Sequence, residues 1–223
     1  DRPHALITAD LNGDGYEEMI WAERGKDKVS CAFNEAGMPR QRIAEISAEA
    51  GSGETLAAGD FDQDGDLDIL ASSNRRGLLL WIENQGQGQF AGTHVLQRYQ
   101  GSSRNADVAD LDDDGDLDIV VPFLEEDRVV LFENLQDRQF LKSPLPTVPE
   151  SGPCSVAAGD LDGDGDIDLV VGGRKDALIT VFLNDGTGHL TPSSRTVHVA
   201  GENCDDVEVT ELNGDGKAGI VYG

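Results

Sequence analysis

Cysteine is scarce in this chain: Cys31, Cys154 and Cys204 are the three in 223 residues, too few for a scaffold built on disulfides. Long apolar runs are missing as well. No stretch of about 18 apolar residues occurs, so no membrane-spanning helix is expected. Basic residues are outnumbered, with 17 Lys and Arg against 43 Asp and Glu and a formal net charge of −26. That balance argues against nucleic acid as a partner, because holding phosphates requires clustered cations that displace counterions. A sustained helical period of apolar residues is also absent. The chain opens at Asp1 without Met or a signal-like segment, which fits a mature secreted chain or an excised domain.

What the chain has in abundance is one acidic nonapeptide. Asp10, Asp60, Asp110 and Asp160 recur every 50 residues, opening Asp10-Leu-Asn12-Gly-Asp14-Gly-Tyr16-Glu-Glu18, Asp60-Phe-Asp62-Gln-Asp64-Gly-Asp66-Leu-Asp68, Asp110-Leu-Asp112-Asp-Asp114-Gly-Asp116-Leu-Asp118 and Asp160-Leu-Asp162-Gly-Asp164-Gly-Asp166-Ile-Asp168. A degraded fifth copy, Glu211-Leu-Asn213-Gly-Asp215-Gly-Lys217-Ala-Gly219, follows 51 residues later. About half of the acidic residues lie inside these copies. Carboxylates at alternate positions repel one another unless a counter-charge is present, and a hard divalent cation with oxygen ligands is the ordinary solution.

A fixed internal period identifies a repeat architecture and takes precedence over length as a guide to domains. Each unit contains a short apolar stretch, the acidic loop, a second apolar stretch, a polar connection, a third, a Gly-containing turn and a fourth. In the fourth unit these are Ser155–Gly159, Asp168–Gly172, Ala177–Leu183 and Thr196–Ala200. The segments are short and β-branched, bounded by Gly, Asn and Asp, so they predict strands. The third segments align Cys31, Trp81, Leu131 and Val181 in one apolar column, which makes Cys31 a core thiol. A four-stranded sheet repeated about every 50 residues is the blade of a β-propeller. The expectation is therefore an all-β chain, a single array over residues 1–223. It has four complete antiparallel blades, at about 4–53, 54–103, 104–153 and 154–203, and a partial fifth at 204–223. The sequence stops in mid-blade, which fits either a five-unit ring with a reduced last blade or part of a larger propeller whose remaining blades were removed or come from another chain. An unclosed array would expose a blade face and invite association.

The loops resemble those of the FG-GAP and VCBS repeat family, the calcium-bearing blades also found in integrin α subunits, and the likeness extends over all five units. Carried over by position, it implies side-chain ligands Asp10, Asn12, Asp14 and Glu18; Asp60, Asp62, Asp64 and Asp68; Asp110, Asp112, Asp114 and Asp118; and Asp160, Asp162, Asp164 and Asp168. It also implies main-chain carbonyl ligands at Tyr16, Asp66, Asp116 and Asp166, hence about four calcium ions. The spacing has a physical reason, since the first, third and fifth positions converge when the chain curls around an ion. Glycines at 15, 65, 115 and 165 permit the turn that follows. An EF-hand is excluded, because its twelfth position must be Glu and here is Trp21, Ala71, Val121 or Val171. Magnesium is disfavoured, since it keeps several waters and rarely takes an all-protein oxygen cage. The fifth loop, left with Asn213 and Asp215, is expected to be weak or empty.

Other positions suggest surfaces. The connections between second and third strands fall on the face opposite the ion loops and carry Arg24, Arg75, Arg76, Arg128 and Arg174 with Lys26, Lys28 and Lys175. They form either a rim for an anionic ligand or solvated loops paired with nearby carboxylates. Six residues before each loop stand His4, Glu54, Arg104 and Cys154, with Cys204 or Asp205 in the fifth unit. First strands line a propeller's channel, so this mixed column should cluster at its mouth. No nucleophile motif accompanies it. Whether Cys154 and Cys204 pair between blades is left open. His94, His189 and His198 fall in turns or outer strands and are expected at the surface.

Taken with the family likeness, the expected function is a calcium-stabilised, non-catalytic extracellular module for binding or adhesion, with a protein or carbohydrate ligand. The alternatives are the propeller domain of a polysaccharide-cleaving enzyme and a structural protomer that self-associates through its unfinished fifth blade.

Overall fold

The computed structural model describes residues 3–23, 25–35, 38–47, 49–50, 52–145, 152–175, 177–198, 204–212 and 217–223. All regular structure among them is β. The chain divides into two compact units, Asp1–Ser103 and Arg104–Gly223.

The first unit holds two sheets. One runs β1 (Pro3–Ala9), β2 (Glu18–Glu23), β3 (Lys28–Glu35) and β4 (Met38–Ser47); the next runs β5 (Leu56–Gly59), β6 (Asp68–Ser73), β7 (Leu78–Asn84) and β8 (Phe90–Arg98). The second unit holds β9 (Asp107–Ala109), β10 (Asp118–Phe123), β11 (Arg128–Asn134) and β12 (Phe140–Pro144), then β13 (Pro153–Gly159), β14 (Asp168–Gly173), β15 (Leu178–Leu183) and β16 (Thr191–His198). A hairpin of β17 (Val207–Glu211) and β18 (Ala218–Tyr222) follows. Every pairing within the sheets is antiparallel and sequential, so each four-stranded sheet is the meander that the sequence predicts.

Burial explains the residue choice. All residues of β6, β7, β10 and β14 are buried, which requires near-continuous apolar strands rather than alternating ones. The fourth strands are sheet edges, and β8 accordingly alternates between half-buried and exposed along most of its length. Side chains from neighbouring sheets fill the space between them. Ile20, Ala22, Val29, Cys31 and Phe33 pack with Leu56, Ile69, Ala71, Leu80 and Ile82 in the first unit. In the second, Leu111, Val120, Val129 and Leu131 pack with Val156, Leu169, Val171 and Phe182, and Ala157, Val170 and Ile179 pack with Cys204 and Val207. Cys31 is fully buried in the first of these clusters, as the apolar column predicts.

The strand boundaries of the fourth unit shift by one or two residues from the sequence reading, and one by five. The fourth strand of the fourth unit begins at Thr191 instead of Thr196. Its start, Thr191-Pro-Ser-Ser, lacks apolar alternation, but an edge strand needs little and tolerates a proline whose missing N–H would face away from the ladder. Residues 199 and 200 lie outside the described residues.

The third and fourth sheets are also joined by polar contacts between β9 and β13. Val156 N donates to Asn105 O at 3.1 Å, and Asp107 accepts from Val108 N at 2.9 Å and Ala158 N at 2.8 Å. Burial raises the Asp107 carboxyl above its ordinary range, against those two hydrogen bonds. The folded state therefore retains that proton to a higher pH than the unfolded chain, and the stability the group contributes falls as pH rises through the interval. Urea midpoints measured from pH 4 to 7 in chelator should decline more steeply for the wild type than for Asp107→Asn, which has no charge to bury.

Candidate metal centres

Each acidic loop links the first strand of a sheet to the second, and its carboxylates are held by the loop's own backbone. Asp10 accepts from Gly13, Asp14 and Gly15 N at 2.9, 3.2 and 2.8 Å. Asp60 accepts from Asp64 and Gly65 N, Asp110 from Gly115 N, and Asp160 from Gly163 and Gly165 N. The fifth residue accepts from the seventh in all four loops: Asp14 from Tyr16, Asp64 from Asp66, Asp114 from Asp116 and Asp164 from Asp166. The glycine between them, at 15, 65, 115 or 165, has a positive φ of 85–102° that a residue with a Cβ adopts at a cost.

The outcome is a convergence of oxygen atoms. Asp60, Asp62 and Asp68; Asp110, Asp112 and Asp114; and Asp160, Asp162 and Asp168 each offer carboxylate oxygens within 4.8 Å of one another. That separation suits a shell of oxygens about 2.4 Å from a central ion. In the third loop, Asp110 Oδ1 and Asp112 Oδ1 are shielded from solvent and receive no hydrogen bond. Burial, then the neighbouring Asp114 charge, raises the Asp112 carboxyl. Carboxylate-only donors fit a hard cation and are a poor match for soft metals that prefer thiolate or imidazole. In the first loop Asn12 takes the third place, accepting from Asp14 N at 2.9 Å and donating through Nδ2 to Glu18 Oε1 at 3.0 Å. The fifth-loop residues Asn213 and Asp215 lie outside the described residues.

The ninth residue closes each loop from below and is buried in every unit, as Glu18, Asp68, Asp118 and Asp168. Its two oxygens are divided between two backbone donors. One accepts from the loop's second residue: Leu11 N, Phe61 N, Leu111 N or Leu161 N. The other accepts from Asn34, Asn84, Asn134 or Asn184 N at the end of the third strand. Burial pushes Asp68 and Asp118 up to about 7 despite these bonds. A cation at the loop would favour the ionised form that burial disfavours.

The asparagine column is the part of the site that the strand and loop patterns do not reveal. Asn84 Nδ2 donates to Leu67 O at 3.0 Å and across to Leu11 O of the preceding loop at 2.8 Å. Asn184 Nδ2 does the same with Ile167 O at 2.9 Å and Leu111 O at 2.6 Å. Its signal was available as a fourth 50-residue recurrence, Asn34, Asn84, Asn134 and Asn184. The turn that follows also touches the loop: Gly86 and Gly186 have φ of 92° and 77°, and a Cβ there would come within 2.9 Å of Asp66 or 2.8 Å of Asp166.

The chain belongs to the FG-GAP-like repeat family. Four repeats of that family match residues 10–71, 60–121, 123–171 and 160–222, so its repeats take in every acidic loop. Among solved structures, this FG-GAP-like chain is similar to virginiamycin B lyase from Staphylococcus aureus, with 14% identity over 92% of this chain and a TM-score of 0.59. It is also similar to an auxiliary nutrient binding protein from Bacteroides ovatus, with 10% identity over 86% of this chain and a TM-score of 0.55. It spans 59% of the first protein and 46% of the second. At these identities the likeness is one of fold, which is propeller-like. No curated protein matches the chain.

The remaining candidate positions behave differently. Arg76 Nε lies 3.3 Å from Asp27, Arg174 Nε 3.1 Å from Asp205 and Lys175 Nζ 2.7 Å from Asp127, while Arg128 pairs with Glu126, Lys26 with Glu23 and Lys28 with Glu45. Six basic side chains of these connections are thus paired with carboxylates. Arg75 N donates to Ser52 Oγ, and Arg24 lies outside the described residues. His4 Nε2 and Glu54 Oε1 of the mixed column meet at 3.0 Å. Cys154 and Cys204 are free, buried thiols. The Cys154 thiol donates to Cys204 O at 2.6 Å, so these two residues meet as thiol and carbonyl with no disulfide between them. Burial, then the nearby Cys204 and Asp205, pushes Cys154 up to about 12. His189 is exposed as expected, but His94 is half-buried, stacked on Trp81 with ring centres 4.6 Å apart and bonded to Glu83 at 2.9 Å. The His198 side chain lies outside the described residues.

The asparagine contacts can be tested without metal. In chelator, Asn184→Ala should lower unfolding free energy by about 1–3 kcal/mol, because the Ile167 carbonyl loses its donor. Asn184→Asp, of equal size but with no amide donor, should lose at least as much in urea unfolding. Equal stability of Asn184→Asp and wild type would refute the contact's importance.

Proposed function

We propose that the chain is a calcium-stabilised, non-catalytic binding or adhesion module that works outside the cell. Its architecture on this reading is a propeller-type array of four complete blades and half of a fifth, with about four ions. The carrying observation is the set of three carboxylate clusters whose oxygens lie within 4.8 Å of one another at equivalent places in successive sheets. Membership of the FG-GAP-like repeat family supports calcium as the ion. In the proposed sites the ligands are Asp60, Asp62, Asp64 and Asp68 and their counterparts in the third and fourth loops. Asp10, Asn12, Asp14 and Glu18 serve in the first, with the seventh residue of each loop adding a main-chain carbonyl.

The ion's work on this reading is mechanical. It cancels repulsion among four or five carboxylates and ties the first strand of a blade to the second. Extracellular calcium is abundant enough to fill modest sites, whereas cytosolic calcium would leave them largely empty, which supports secretion or surface display. Against catalysis stands the mixed column His4, Glu54, Arg104 and Cys154, whose types change from unit to unit. Its first two members are engaged with each other, and its cysteine is a buried thiol with a raised pKa. A fold shared with both a lyase and a nutrient-binding protein does not decide function, which has to come from the site.

Binding confined to the native state adds about 2.7 kcal/mol per site when the ligand is at 100 times its dissociation constant. For a chain of this size, each kcal/mol corresponds to roughly 2–4 °C. Removing calcium should therefore lower the melting temperature by tens of degrees, on the order of 20–45 °C for four filled sites. Metal analysis should find about four calcium ions per chain, the number of intact loops. The double variant Asp110→Ala and Asp112→Ala should lose one ion and about a quarter of the shift. An identical melting curve in chelator, with no metal in the purified protein, would sink the proposal.

A further inference from the structure

The turn that follows β15 lies against two acidic loops at once. Asn184, the residue next after the strand, donates through Nδ2 to Ile167 O of its own unit at 2.9 Å and to Leu111 O of the third loop at 2.6 Å. Gly188 N donates to the same Leu111 carbonyl at 3.1 Å. A Cβ on Gly188 would stand 3.3 Å from Asp112 Cβ, and one on Gly186 would stand 2.8 Å from Asp166. The turn is therefore fitted closely to the third loop on one side and to the fourth on the other.

These contacts complete a line of hydrogen bonds between two candidate ion sites. Asp118, ninth in the third loop, accepts from Leu111 N at 3.2 Å. Leu111 O accepts from Asn184 Nδ2, and Asn184 N donates to Asp168 Oδ1 at 2.9 Å. Asp168 is the ninth residue of the fourth loop and converges there with Asp160 and Asp162. The first unit repeats the path with its own residues. Glu18 accepts from Leu11 N at 2.9 Å, Leu11 O from Asn84 Nδ2 at 2.8 Å, and Asp68 from Asn84 N at 2.8 Å. Asp68 in turn converges with Asp60 and Asp62. Leu11, Leu111, Asn84, Asn184, Asp68 and Asp168 are all buried. Water is a poor substitute for a partner lost there, so the links hold or break together.

We infer, resting on the calcium reading above, that ions bind with positive cooperativity in successive loops, the third with the fourth and the first with the second. Asn184 and Asn84 are the positioning residues that couple them. When the third loop is empty, Asp110, Asp112 and Asp114 face one another with oxygens within 4.8 Å, and their repulsion opens the loop. Leu111 moves with it, and its carbonyl leaves Asn184. The backbone of Asn184 then no longer fixes Asp168 against Asp160 and Asp162. With the third loop filled each step is reversed, and the fourth loop has Asp168 already in place. By linkage, filling the fourth loop favours the third by the same factor. Charge alone predicts the opposite sign, because one bound cation weakens the negative potential that attracts the next. Positive coupling thus points to the hydrogen-bonded path.

Glycine amides read each loop separately, since Gly115 N donates to Asp110 and Gly165 N to Asp160. Nitrogen–proton correlation spectra of the whole 223-residue chain, titrated with calcium, give the midpoint of the Gly115 shift. About 0.15 M salt holds the screening length near roughly 8 Å. The pair Asp160→Ala and Asp162→Ala disables the fourth loop and should raise that midpoint. The rise should be at least about fivefold larger than the rise the same pair causes on an Asn184→Ala background, which keeps the N–H to Asp168 and removes the amide link. The charge lost is the same on both backgrounds, and a merely structural role for Asn184 would shift both midpoints alike. Equal rises would overturn the inference and leave the calcium reading standing. A Gly115 amide that does not respond to calcium would overturn both. Should Asn184→Ala fail to fold, Asn84→Ala takes its place, read at Gly15 with Asp60→Ala and Asp62→Ala and judged by the same ratio.

Discussion

The buried ninth carboxylate of each acidic loop is the interaction on which the rest of the molecule depends. Glu18, Asp68, Asp118 and Asp168 each accept one backbone N–H from the second residue of their own loop and one from the asparagine that ends the third strand. A single side chain thereby sets the curl of the loop and its distance from a strand 16 residues further on. The geometry carries an electrostatic cost, evident in the elevation of Asp68 and Asp118 to about 7. Such a cost is tolerated where hydrogen bonds and a nearby cation restore the charged form.

Because β6, β7, β10 and β14 are buried on both faces along their whole length, the sheets they belong to cannot be stable alone. Their neighbours complete them. The clusters between sheets mix strands from both, so the energetic unit is the joint rather than the sheet. The same logic explains the contrast between loop residues at the second position. Leu11, Phe61 and Leu111 are about 1% exposed, whereas Leu212, at the same place in the last hairpin, is 63% exposed. In the first and third units the carbonyl of that residue is capped by the asparagine of the following sheet. Leu212 has no such partner sheet among the described residues.

Much of this was legible in the sequence, for identifiable reasons. Short β-branched segments bounded by Gly, Asn and Asp, and a period of 50 between acidic loops, are both strong signals, and they specified four meandering sheets with the loops between first and second strands. The column Cys31, Trp81, Leu131 and Val181 was read as buried, and all four are. Two kinds of feature were harder. Asparagine between a strand and a Gly-containing turn reads as ordinary turn chemistry, so the regular recurrence of Asn34 to Asn184 carried a meaning that only the pairing of strands reveals. The basic connections read either as a rim or as loops paired with carboxylates, and two of the pairs that decide their surroundings involve Arg76 and Lys175. Their partners Asp27 and Asp127 lie nearly 50 residues away on the preceding sheet, a distance at which sequence reading cannot match charges.

Those two features share a consequence. Leu11 donates its N–H to Glu18 within its own loop and offers its carbonyl to Asn84 of the next sheet. Leu111 does the same with Asp118 and Asn184. One residue therefore stands between the candidate ion site of one sheet and the third strand of its successor. A loop whose carboxylates repel one another would relax by moving that residue, and with it the inter-sheet hydrogen bond. A cation that quiets the repulsion would hold the residue in place. The stability conferred by an ion in one loop is thus expected to extend into the following joint. Ion binding and sheet stacking would then rise and fall together, as they cannot in an array whose acidic loops merely decorate its surface.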